Sequence, residues 1–377
     1  MGDERIIRVG TRKSQLALIQ TTNVIQMLRS LDPTLKFETL PMTTTGDRIL
    51  DSALSKIGEK SLFTKELENA LLKKQVDFVV HSLKDLPTTL PEGLVIGCVC
   101  KRDNPYDAIV LHPKHKGITL KDLPPGSVIG TSSLRRAAQV QRLFPHYKIE
   151  NIRGNLNTRF KKLSEENVYD AIILAVAGLE RMGWQQCISQ VLTPDECMYA
   201  VSQGAMAVEC RADDEATLQL LNQIHDHFST IACIAERAYL RQLEGGCSVP
   251  VSVFTEISND QISIRGGVFD TDGSQSVQHT IKADLRFPDV PIPSQQAFVG
   301  IHCQNPSRKN EYTSAWVTGE RLADSMIKMG ADAILSKVKA ATKAEIIRDH
   351  EKKKQEKEQL KSLAAGEPSA SFSHGSC

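Results

Sequence analysis

The stretch Val9-Gly10-Thr11-Arg12-Lys13-Ser14-Gln15-Leu16-Ala17 is similar in pattern to a later one, Ile129-Gly130-Thr131-Ser132-Ser133-Leu134-Arg135-Arg136-Ala137, and we call the two stretches copies. Each copy reads as the end of a strand, a Gly-Thr turn and a helix start with two adjacent basic residues. Further landmarks follow in the same order, namely Gly46-Asp47 and Asp77–Val80 after the first copy, and Gly154-Asn155 and Asp170–Ile173 after the second. The order predicts two similar α/β domains, although Gly-Thr turns also suit strand-to-helix joints in unrelated units.

The elements around the first copy follow the same pattern. We expect a helix from about Ser14 to Leu31, a polar loop at Thr43–Asp47, and further elements at Lys36–Met42 (strand), Thr64–Leu72 (helix), Asp77–Ser82 (strand) and Leu94–Cys100 (strand). Because strands alternate with helices, the pattern predicts α/β layers built on a parallel sheet.

A different pattern begins near Ser229. It predicts a helix at Thr230–Gln242 and then three alternating strands of an antiparallel sheet, at Val249–Ile257, Gln261–Phe269 and Val277–Leu285. The segment Arg286–Thr318 contains four prolines and many polar residues, and we expect a long surface insertion there. A helix from about Gly319 to about Ile347, with a break near Gly330, completes this region.

The patterns together divide the chain into three domains and a tail. The prediction assigns residues 1–100 and 202–224 to domain 1 and 105–200 to domain 2, both α/β. Residues 228–347 form an α+β domain 3 that includes the insertion 286–318, and 348–377 form a polar tail, which we expect to be disordered.

Composition limits the classes of function. The chain has 377 residues, and its 46 Lys+Arg against 45 Asp+Glu leave a net charge of +1. A global field that attracts nucleic acid is therefore not expected, and a charged ligand needs a local cluster. No apolar run is long enough for a membrane span, and the N-terminus has no targeting pattern, so we expect a cytoplasmic protein without nucleic-acid or membrane partners.

The nine cysteines show no metal-binding spacing. Cys98 and Cys100 alternate along an expected strand, which favours packing over metal binding. We therefore expect reduced thiols and no metal site.

Basic residues at helix starts and turns give the first chemical signal. They are Arg12, Lys13, Arg135, Arg136, Arg153 and Arg159. Helix N-termini and arginine forks both suit carboxylates, so two such sites facing each other would clamp a polyanion. The alternative is solvated surface charge.

The second signal is His81-Ser82-Leu83-Lys84-Asp85, directly after an expected strand. Ligands of open parallel sheets bind outside the carboxyl ends of the strands. Asp85 could stabilise a developing cation or transfer a proton there. The alternative is an ordinary Lys-Asp loop pair, and a histidine in the position of His81 is more often packed in a strand than a base.

The third signal is Leu243-Glu244-Gly245-Gly246-Cys247-Ser248-Val249-Pro250. Two glycines remove side-chain bulk before Cys247, so the backbone can turn and expose the thiol. Cys247 is therefore a candidate for covalent chemistry, against the alternative of an ordinary packed cysteine.

These motifs together resemble the porphobilinogen deaminase, or hydroxymethylbilane synthase, family. The resemblance covers Arg5 to about Ala333 and rests on RVGTRKSQLALIQT from Arg8, TTTGD from Thr43, KSLFTKELE from Lys60, VVHSLKDLPT from Val79, GTSSLRRAAQ from Gly130, IRGNLNTR from Ile152 and LEGGCSVPV from Leu243. The insertion resembles that of vertebrate-type members, whereas the Lys-rich tail departs from the family pattern.

The resemblance implies a fold and a reaction. The fold comprises two α/β domains similar to the halves of type II periplasmic binding proteins, and a C-terminal α+β domain with a small antiparallel sheet. The activity is that of a transferase of haem biosynthesis: four porphobilinogen molecules condense head to tail, four ammonia molecules leave, and the linear tetrapyrrole hydroxymethylbilane forms. The primer is one dipyrromethane cofactor, joined through a thioether to Cys247. The family also implies a monomer.

The resemblance also assigns roles to single residues. Asp85 is the catalytic carboxylate. The residues that contact the cofactor are Ser82, Lys84, Thr131, Ser132, Arg135, Arg136, Arg159 and Gln203, together with Cys247. Those that contact the substrate are Arg12, Ser14, Gln20 and Arg153.

Two other functions remain open from the residues alone. One is a thiol acyltransferase or amidase that uses Cys247 with His81, which requires the imidazole within hydrogen-bond reach of the sulfur. The other is a non-catalytic anion-binding module, which would use the arginines but not the Gly-Gly-Cys loop.

Overall fold

A computed structural model describes residues 5–48, 63–243, 249–344 and 346–348 of the chain. The first α/β domain contains β1 (Ile6–Arg12), α1 (Gln15–Leu31), β2 (Lys36–Met42), α2 (Thr45–Arg48), α3 (Lys65–Leu72), β3 (Phe78–Ser82) and β4 (Leu94–Val99). The second contains β5 (Asp107–Leu111), β6 (Val128–Gly130), α4 (Leu134–Leu143), β7 (Lys148–Glu150), α5 (Leu156–Glu165), β8 (Ala171–Ala175), α6 (Val176–Arg181) and β9 (Gln190–Val191). The chain then returns to the first domain with β10 (Met206–Arg211) and α7 (Glu215–Asn222).

The third domain begins with α8 (His227–Gln242) and continues with β11 (Val251–Ser258), β12 (Gln261–Phe269) and β13 (Ser276–Asp284). Two short strands, β14 (Ala297–Phe298) and β15 (Ile301–His302), precede α9 (Lys309–Lys328). The strands β11, β12 and β13 form an antiparallel three-stranded sheet in this order, as the sequence predicts.

The sheet of the first domain is mixed. Its seven strands have the order β14-β15-β4-β10-β3-β1-β2. Strand β1 is parallel to β2 and β3, but β10 is antiparallel to both β3 and β4. The prediction of a parallel sheet therefore holds for β1, β2 and β3 but not for β10. Strand β10 runs the other way because the chain enters it from the second domain rather than through a helix of the first.

The second sheet repeats this arrangement. Its strand order is β7-β6-β8-β5-β9, with β6 parallel to β7 and β8, and β5 antiparallel to β8. The order β2-β1-β3-β10 in the first domain thus corresponds to β7-β6-β8-β5 in the second. In each domain the antiparallel strand is the first one after the chain crosses over. The predicted fold class of two similar α/β domains plus an α+β domain is confirmed.

The helix starts follow from capping residues. Ser14, Ser133 and Asn155 precede α1, α4 and α5, and the side chain of each accepts a hydrogen bond from a backbone N–H in the first turn. The predicted helix at Ser14–Leu31 is confirmed. The predicted polar loop at Thr43–Asp47 instead leads into the short helix α2.

The last helix begins earlier than predicted. Its first residue is Lys309 rather than Gly319, which lies inside it. A Cβ atom on Gly319 would lie 2.1 Å from the carbonyl oxygen of Ala235, so this glycine permits close packing of α9 on α8 and does not start a helix. The break near Gly330 is confirmed: α9 ends at Lys328, Gly330 has φ +97°, and residues 331–344 are helical again.

The insertion Arg286–Thr318 is a surface segment only in part. Strand β15 pairs with β4, so the insertion extends the sheet of the first domain. Phe298, Val299 and Ile301 are buried. The sequence did not predict this strand pairing, because prolines and polar residues surround the short apolar run and dominate the composition of the segment. Most of the predicted tail, 349–377, lies outside the described residues.

One hydrophobic core joins the third domain to the first. It includes Leu83 and Leu86 from the loop after β3, Ile231 and Ile234 from α8, and Phe298 from β14. The loop that carries Lys84 and Asp85 is therefore anchored on both sides by buried leucines. Among the described residues, no helix is long and apolar enough to cross a membrane.

Candidate active site

A cavity of about 550 Å³ lies between the two α/β domains. The first domain contributes Arg12, Ser14, Ser82, Lys84 and Asp85, and the second contributes Arg136, Arg153 and Arg159. These eight residues are all predicted site residues. A hydrogen bond of 2.9 Å from Asn157 Nδ2 to Gln15 Oε1 joins the two domains at this cavity.

The N-termini of two helices face this space. Residues of the first turn of α1, Gln15 and Leu16, line the cavity together with Leu156 and Asn157 of α5. Helix N-termini present free N–H groups and the positive end of the helix dipole. Each of the two domains thus directs one such end at the same cavity, which favours an anionic ligand.

Lys84 and Asp85 lie on a single 3-10 turn, Leu83–Asp85, directly after β3. Arg237, which is buried on α8, holds the end of this turn in place. It donates hydrogen bonds to two backbone oxygens of the residues that follow the turn, Leu86 O at 3.1 Å and Pro87 O at 2.7 Å. Asp85 is exposed to the cavity. A carboxylate on a turn held by buried contacts can keep its position relative to a bound ligand.

Lys84 is half-buried and close to other cations. Its Nζ donates to Gln203 Oε1 at 3.3 Å. Burial lowers the pKa of Lys84 to about 8, with Arg136 and Arg135 acting in the same direction and Asp85 and Asp107 against it. Its ammonium group is therefore poorly compensated, and a ligand carboxylate would stabilise it.

The second domain contributes a cluster of guanidinium groups. Arg159 donates from Nε to Gly154 O at 2.9 Å, and its pKa is lowered to about 10 by burial and by the charges of Arg136 and Arg153. Burial also lowers the pKa of Arg153, whose Nη1 is buried without a hydrogen-bond partner in the described part of the chain. Neighbouring cations that destabilise one another form a site for an anion.

Arg12 differs from these arginines because it already has partners. Its guanidinium forms an ion pair with Asp47 and lies 4.3 Å from the ring centroid of Phe63. Burial would raise the pKa of Asp47, but the hydrogen bonds and charge of Arg12, with hydrogen bonds from Thr44, hold it below its usual range. The charge of Arg12 is thus partly compensated before any ligand binds.

A second cavity of about 60 Å³ adjoins the first and is lined by Gln20, His81, Arg12, Ser14, Ser82 and Asp85, among others. Gln20 Nε2 donates to Ser82 Oγ at 2.9 Å. His81 is buried in β3, with Nε2 3.0 Å from Glu209 Oε2. The expectation that His81 is a packed strand histidine is confirmed.

Four predicted residues do not line either cavity in the part of the chain that the structure describes. Thr131 and Ser132 lie in the turn between β6 and α4. Arg135 is buried and donates to Asp107 Oδ2 at 2.7 Å and to Met198 O at 2.6 Å. Gln203 lies behind Lys84. Their assigned contacts with the cofactor remain predictions.

Cys247 lies outside the described residues, so its predicted role as covalent anchor is untested by the geometry. The chain reaches Leu243 at the end of α8 and resumes at Val249 before β11. The cysteines that the structure describes are free, and Cys98 Sγ lies 3.9 Å from Cys100 Sγ in a buried position. The described residues contain no group of three His, Cys, Asp or Glu side chains arranged for a metal ion.

Sequence reasoning missed several residues around the cavity. Gln15 and Asn157 are polar residues in the first turns of α1 and α5. A search for polar residues next to the predicted helix N-caps could have found them. Arg181, which also lines the cavity, is at the end of α6 and forms an ion pair of 2.8 Å with Asp103. No local pattern distinguishes it from a surface arginine.

Comparisons with known proteins give the family. The family model described as porphobilinogen deaminase, dipyromethane cofactor binding domain, matches residues 7–219, and the model of the C-terminal domain of porphobilinogen deaminase matches residues 230–290. The chain belongs to the porphobilinogen deaminase family. The predicted enzyme class, transferase activity and dipyrromethane cofactor are confirmed at the level of this family.

Curated members of the family are similar over most of the chain. Porphobilinogen deaminase from Nostoc sp. is 49% identical over 280 residues, which cover 74% of this chain and 86% of that protein. The protein of the same name from Pelotomaculum thermopropionicum is 44% identical over 342 residues, covering 91% of this chain and 100% of that protein. Among solved structures, the periplasmic VFT2 domain of Bordetella pertussis BvgS matches with a TM-score of 0.35 and 13% identity, covering 59% of this chain and 88% of that one.

The residues of the cavity fit the cofactor of the family. Each pyrrole ring carries an acetate and a propionate group, so a dipyrromethane is a tetra-anion. Lys84 and Arg159, whose charges are poorly compensated, are the groups that such carboxylates would satisfy.

Proposed function

We propose that the cavity between the α/β domains is where this chain condenses four porphobilinogen molecules with release of ammonia. The observation that carries the proposal is the gathering of Lys84, Arg136, Arg153 and Arg159 around one exposed carboxylate, Asp85. A site with excess positive charge suits a substrate and product rich in carboxylates. An exposed carboxylate in that setting suits a cationic reaction centre.

The dipyrromethane cofactor, when bound through Cys247, supplies the primer for chain growth. Arg136, Arg159, Lys84 and Ser82 are the cavity residues that would hold its carboxylates. Arg12 and Ser14 on the first domain and Arg153 on the second would hold incoming porphobilinogen, with Gln20 positioning Ser82. Guanidinium groups bind carboxylates in a bidentate manner, which fixes orientation as well as position.

The catalytic role belongs to Asp85. Porphobilinogen loses ammonia to form an electron-poor cation, and a carboxylate at that point stabilises the positive charge as it develops. The same carboxylate can accept the proton that leaves a pyrrole carbon after bond formation. The turn that carries Asp85 is anchored by Leu83 and Leu86 and by Arg237, so its position is set before substrate binds.

Other features of the chain extend the proposal. The segment 286–318 supports a relation to vertebrate-type members. The two matching sheets support domain boundaries near residues 100–105 and 200–202, with 228–347 as the third domain. A net charge of +1 supports the absence of a nucleic-acid partner. We infer a monomer in the cytoplasm from the family resemblance.

Intact mass tests the proposal and separates it from the alternatives. The purified protein is expected to carry an increment of two pyrrole units and to consume porphobilinogen. In Cys247→Ala the increment and the activity should both be absent. Active wild-type protein with an unmodified mass would contradict the proposal, and so would a Cys247→Ala protein that keeps the increment.

A further inference from the structure

A buried carboxylate lies behind the wall of the cavity. Asp107, the first residue of β5, is fully buried. It accepts hydrogen bonds from Arg135 Nη1 at 2.7 Å, from Arg136 Nε and Nη2 at 3.0 and 2.7 Å, and from Gln203 Nε2 at 2.9 Å. Burial alone would raise the pKa of Asp107, but Arg135 and Arg136 hold it well below its usual range. Asp107 is therefore ionised.

Gln203 extends this network to the first domain. Its side chain donates to Asp107 from Nε2, and its Oε1 accepts from Lys84 Nζ at 3.3 Å. Gln203 Nε2 also donates to Pro105 O at 2.8 Å. Asp107 directly follows the first of the two segments that connect the α/β domains, and its partner Gln203 lies on the second. The carboxylate of Asp107 therefore lies where the two connecting segments meet.

The two arginines on Asp107 have different surroundings. Arg135 is turned away from the cavity and also binds Met198 O. Arg136 lines the cavity, and its remaining contact is from Nη1 to Ile173 O at 2.8 Å. An arginine has five N–H groups, so these contacts leave one N–H on each terminal nitrogen of Arg136 for a ligand. Asp107 thus fixes the plane of a guanidinium group that lines the cavity.

We propose that Asp107 is a positioning residue for this cavity, which fixes Arg136 directly and Lys84 through Gln203. The inference rests on the proposed function, because it concerns two basic groups assigned there to carboxylate binding. Asp107 does not line the cavity, and its role is to set the orientation of the groups that do. Through Gln203, Asp107 also fixes the position of Lys84, in the first domain, relative to Arg136, in the second.

A buried ion pair alone is weak evidence for a role beyond folding. The titration of Lys84 provides a readout that a general loss of stability would not move, and Gln203→Met, which keeps the charge of Asp107, separates the bridge from the direct effect of that charge. The charged groups around Lys84 are Asp85, Arg136, Asp107 and Arg135. A negative neighbour raises the pKa of a lysine, so neutralising Asp107 lowers it. Lys84 should then lose its proton at a lower pH than in the wild type.

The experiment measures the rate at which an acylating reagent modifies the Lys84 amine as a function of pH, with the site read by peptide mass mapping. Asp107→Asn keeps the shape of the side chain and removes its charge, so the midpoint of the Lys84 profile should move to lower pH. The fraction of Asp107→Asn protein that carries the two-pyrrole increment should also fall, because one charge-assisted contact to the cofactor is displaced. Cofactor content is read from the intact mass of the same samples.

Asp170→Asn is the matched control in the same domain. Asp170 likewise pairs with basic side chains, those of Lys114 and His115, and it accepts a hydrogen bond from Val128 N at 2.8 Å, but it does not line the cavity. This variant should lower stability and leave the Lys84 profile unchanged. Gln203→Met is a second test if Asp107→Asn fails to fold, since it keeps Asp107 with its arginines and removes only the bridge to Lys84. It should also move the Lys84 midpoint to lower pH.

An unchanged Lys84 midpoint in the folded variants, with active wild-type protein, would overturn this inference and leave the proposed function intact. A wild-type protein that binds no cofactor and consumes no porphobilinogen would contradict the proposed function instead, whatever the Lys84 profile.

Discussion

The two walls of the cavity come from domains of the same topology but carry different charges. The first domain contributes Asp47 and Asp85 beside its basic residues, whereas the described lining residues of the second include Arg136, Arg153 and Arg159 and no carboxylate. The carboxylate that serves the second wall, Asp107, is buried behind it. We infer from this difference that a repeated fold supports two tasks: the second wall binds anions, and the first adds the group for a cationic centre.

The largest effect should come from the carboxylate that distinguishes the first wall. Asp85→Asn keeps the shape of the side chain and removes its charge, so kcat should fall by ~10²-fold or more. Cofactor content should persist because the arginines are untouched. Asp85→Glu should retain more activity than Asp85→Asn. The measurement is single-turnover condensation on protein whose cofactor content is known from its mass, and near-normal condensation by Asp85→Asn would exclude an essential carboxylate here.

The second wall should respond through binding of the cofactor. Arg136→Met removes a guanidinium that lines the cavity, and each lost charge-assisted hydrogen bond is worth about 1.5–3 kcal/mol. We expect a purified protein with a markedly reduced fraction carrying the two-pyrrole increment. Lys161→Met is the control, because Lys161 is an exposed residue of α5 whose partner is Glu165 at 3.6 Å. Full cofactor content in Arg136→Met would show that the second wall does not hold the cofactor through this residue.

A smaller loss of cofactor should follow substitution on the first wall. Arg12 is already paired with Asp47 and Phe63, so Arg12→Met should keep the cofactor and instead raise the Michaelis constant for porphobilinogen. Steady-state kinetics on protein of known cofactor content gives this result. Loss of cofactor in Arg12→Met equal to that in Arg136→Met would remove the distinction between the walls.

The smallest expected effect is a pH dependence that arises from the titration of Lys84. The pKa of Lys84 in the free site is about 8. Below that pH the amine is protonated and attracts the carboxylates of the cofactor, and above it the amine is neutral, so the fraction of apoprotein that acquires the two-pyrrole increment from porphobilinogen should decrease as pH rises through about 8. Lys84→Arg, which stays protonated, should show a smaller decrease over the same pH range. If Lys84→Arg shows the same decrease as the wild type, a group other than Lys84 causes it.

The local sequence was sufficient for the repeated elements and much of the cavity. Capping residues such as Ser14 and Asn155 mark helix starts, and the basic residues beside them do line the cavity. The direction of β10 was not predictable, since strand polarity depends on where the chain crosses between domains. Gly319 was misread because a glycine that permits close helix packing looks like a helix boundary in the sequence.

Asp107 shows why part of the site required the structure. Its partners Arg135, Arg136 and Gln203 are distant in sequence, and the residue itself begins an otherwise apolar strand, β5. A carboxylate at a fully buried strand position needs partners, but the sequence does not identify them. Hydrogen-bond networks of this kind depend on tertiary packing, which no local pattern encodes.

The most direct test of the division between the two walls is a time course of intact mass after mixing with one equivalent of porphobilinogen. The wild-type protein should gain mass in steps of one pyrrole unit beyond the initial two-pyrrole increment. Asp85→Asn should begin with the same increment and gain further units at least ~10²-fold more slowly, as expected for loss of a preorganised charge. Equal rates of mass gain in the two proteins would contradict the account.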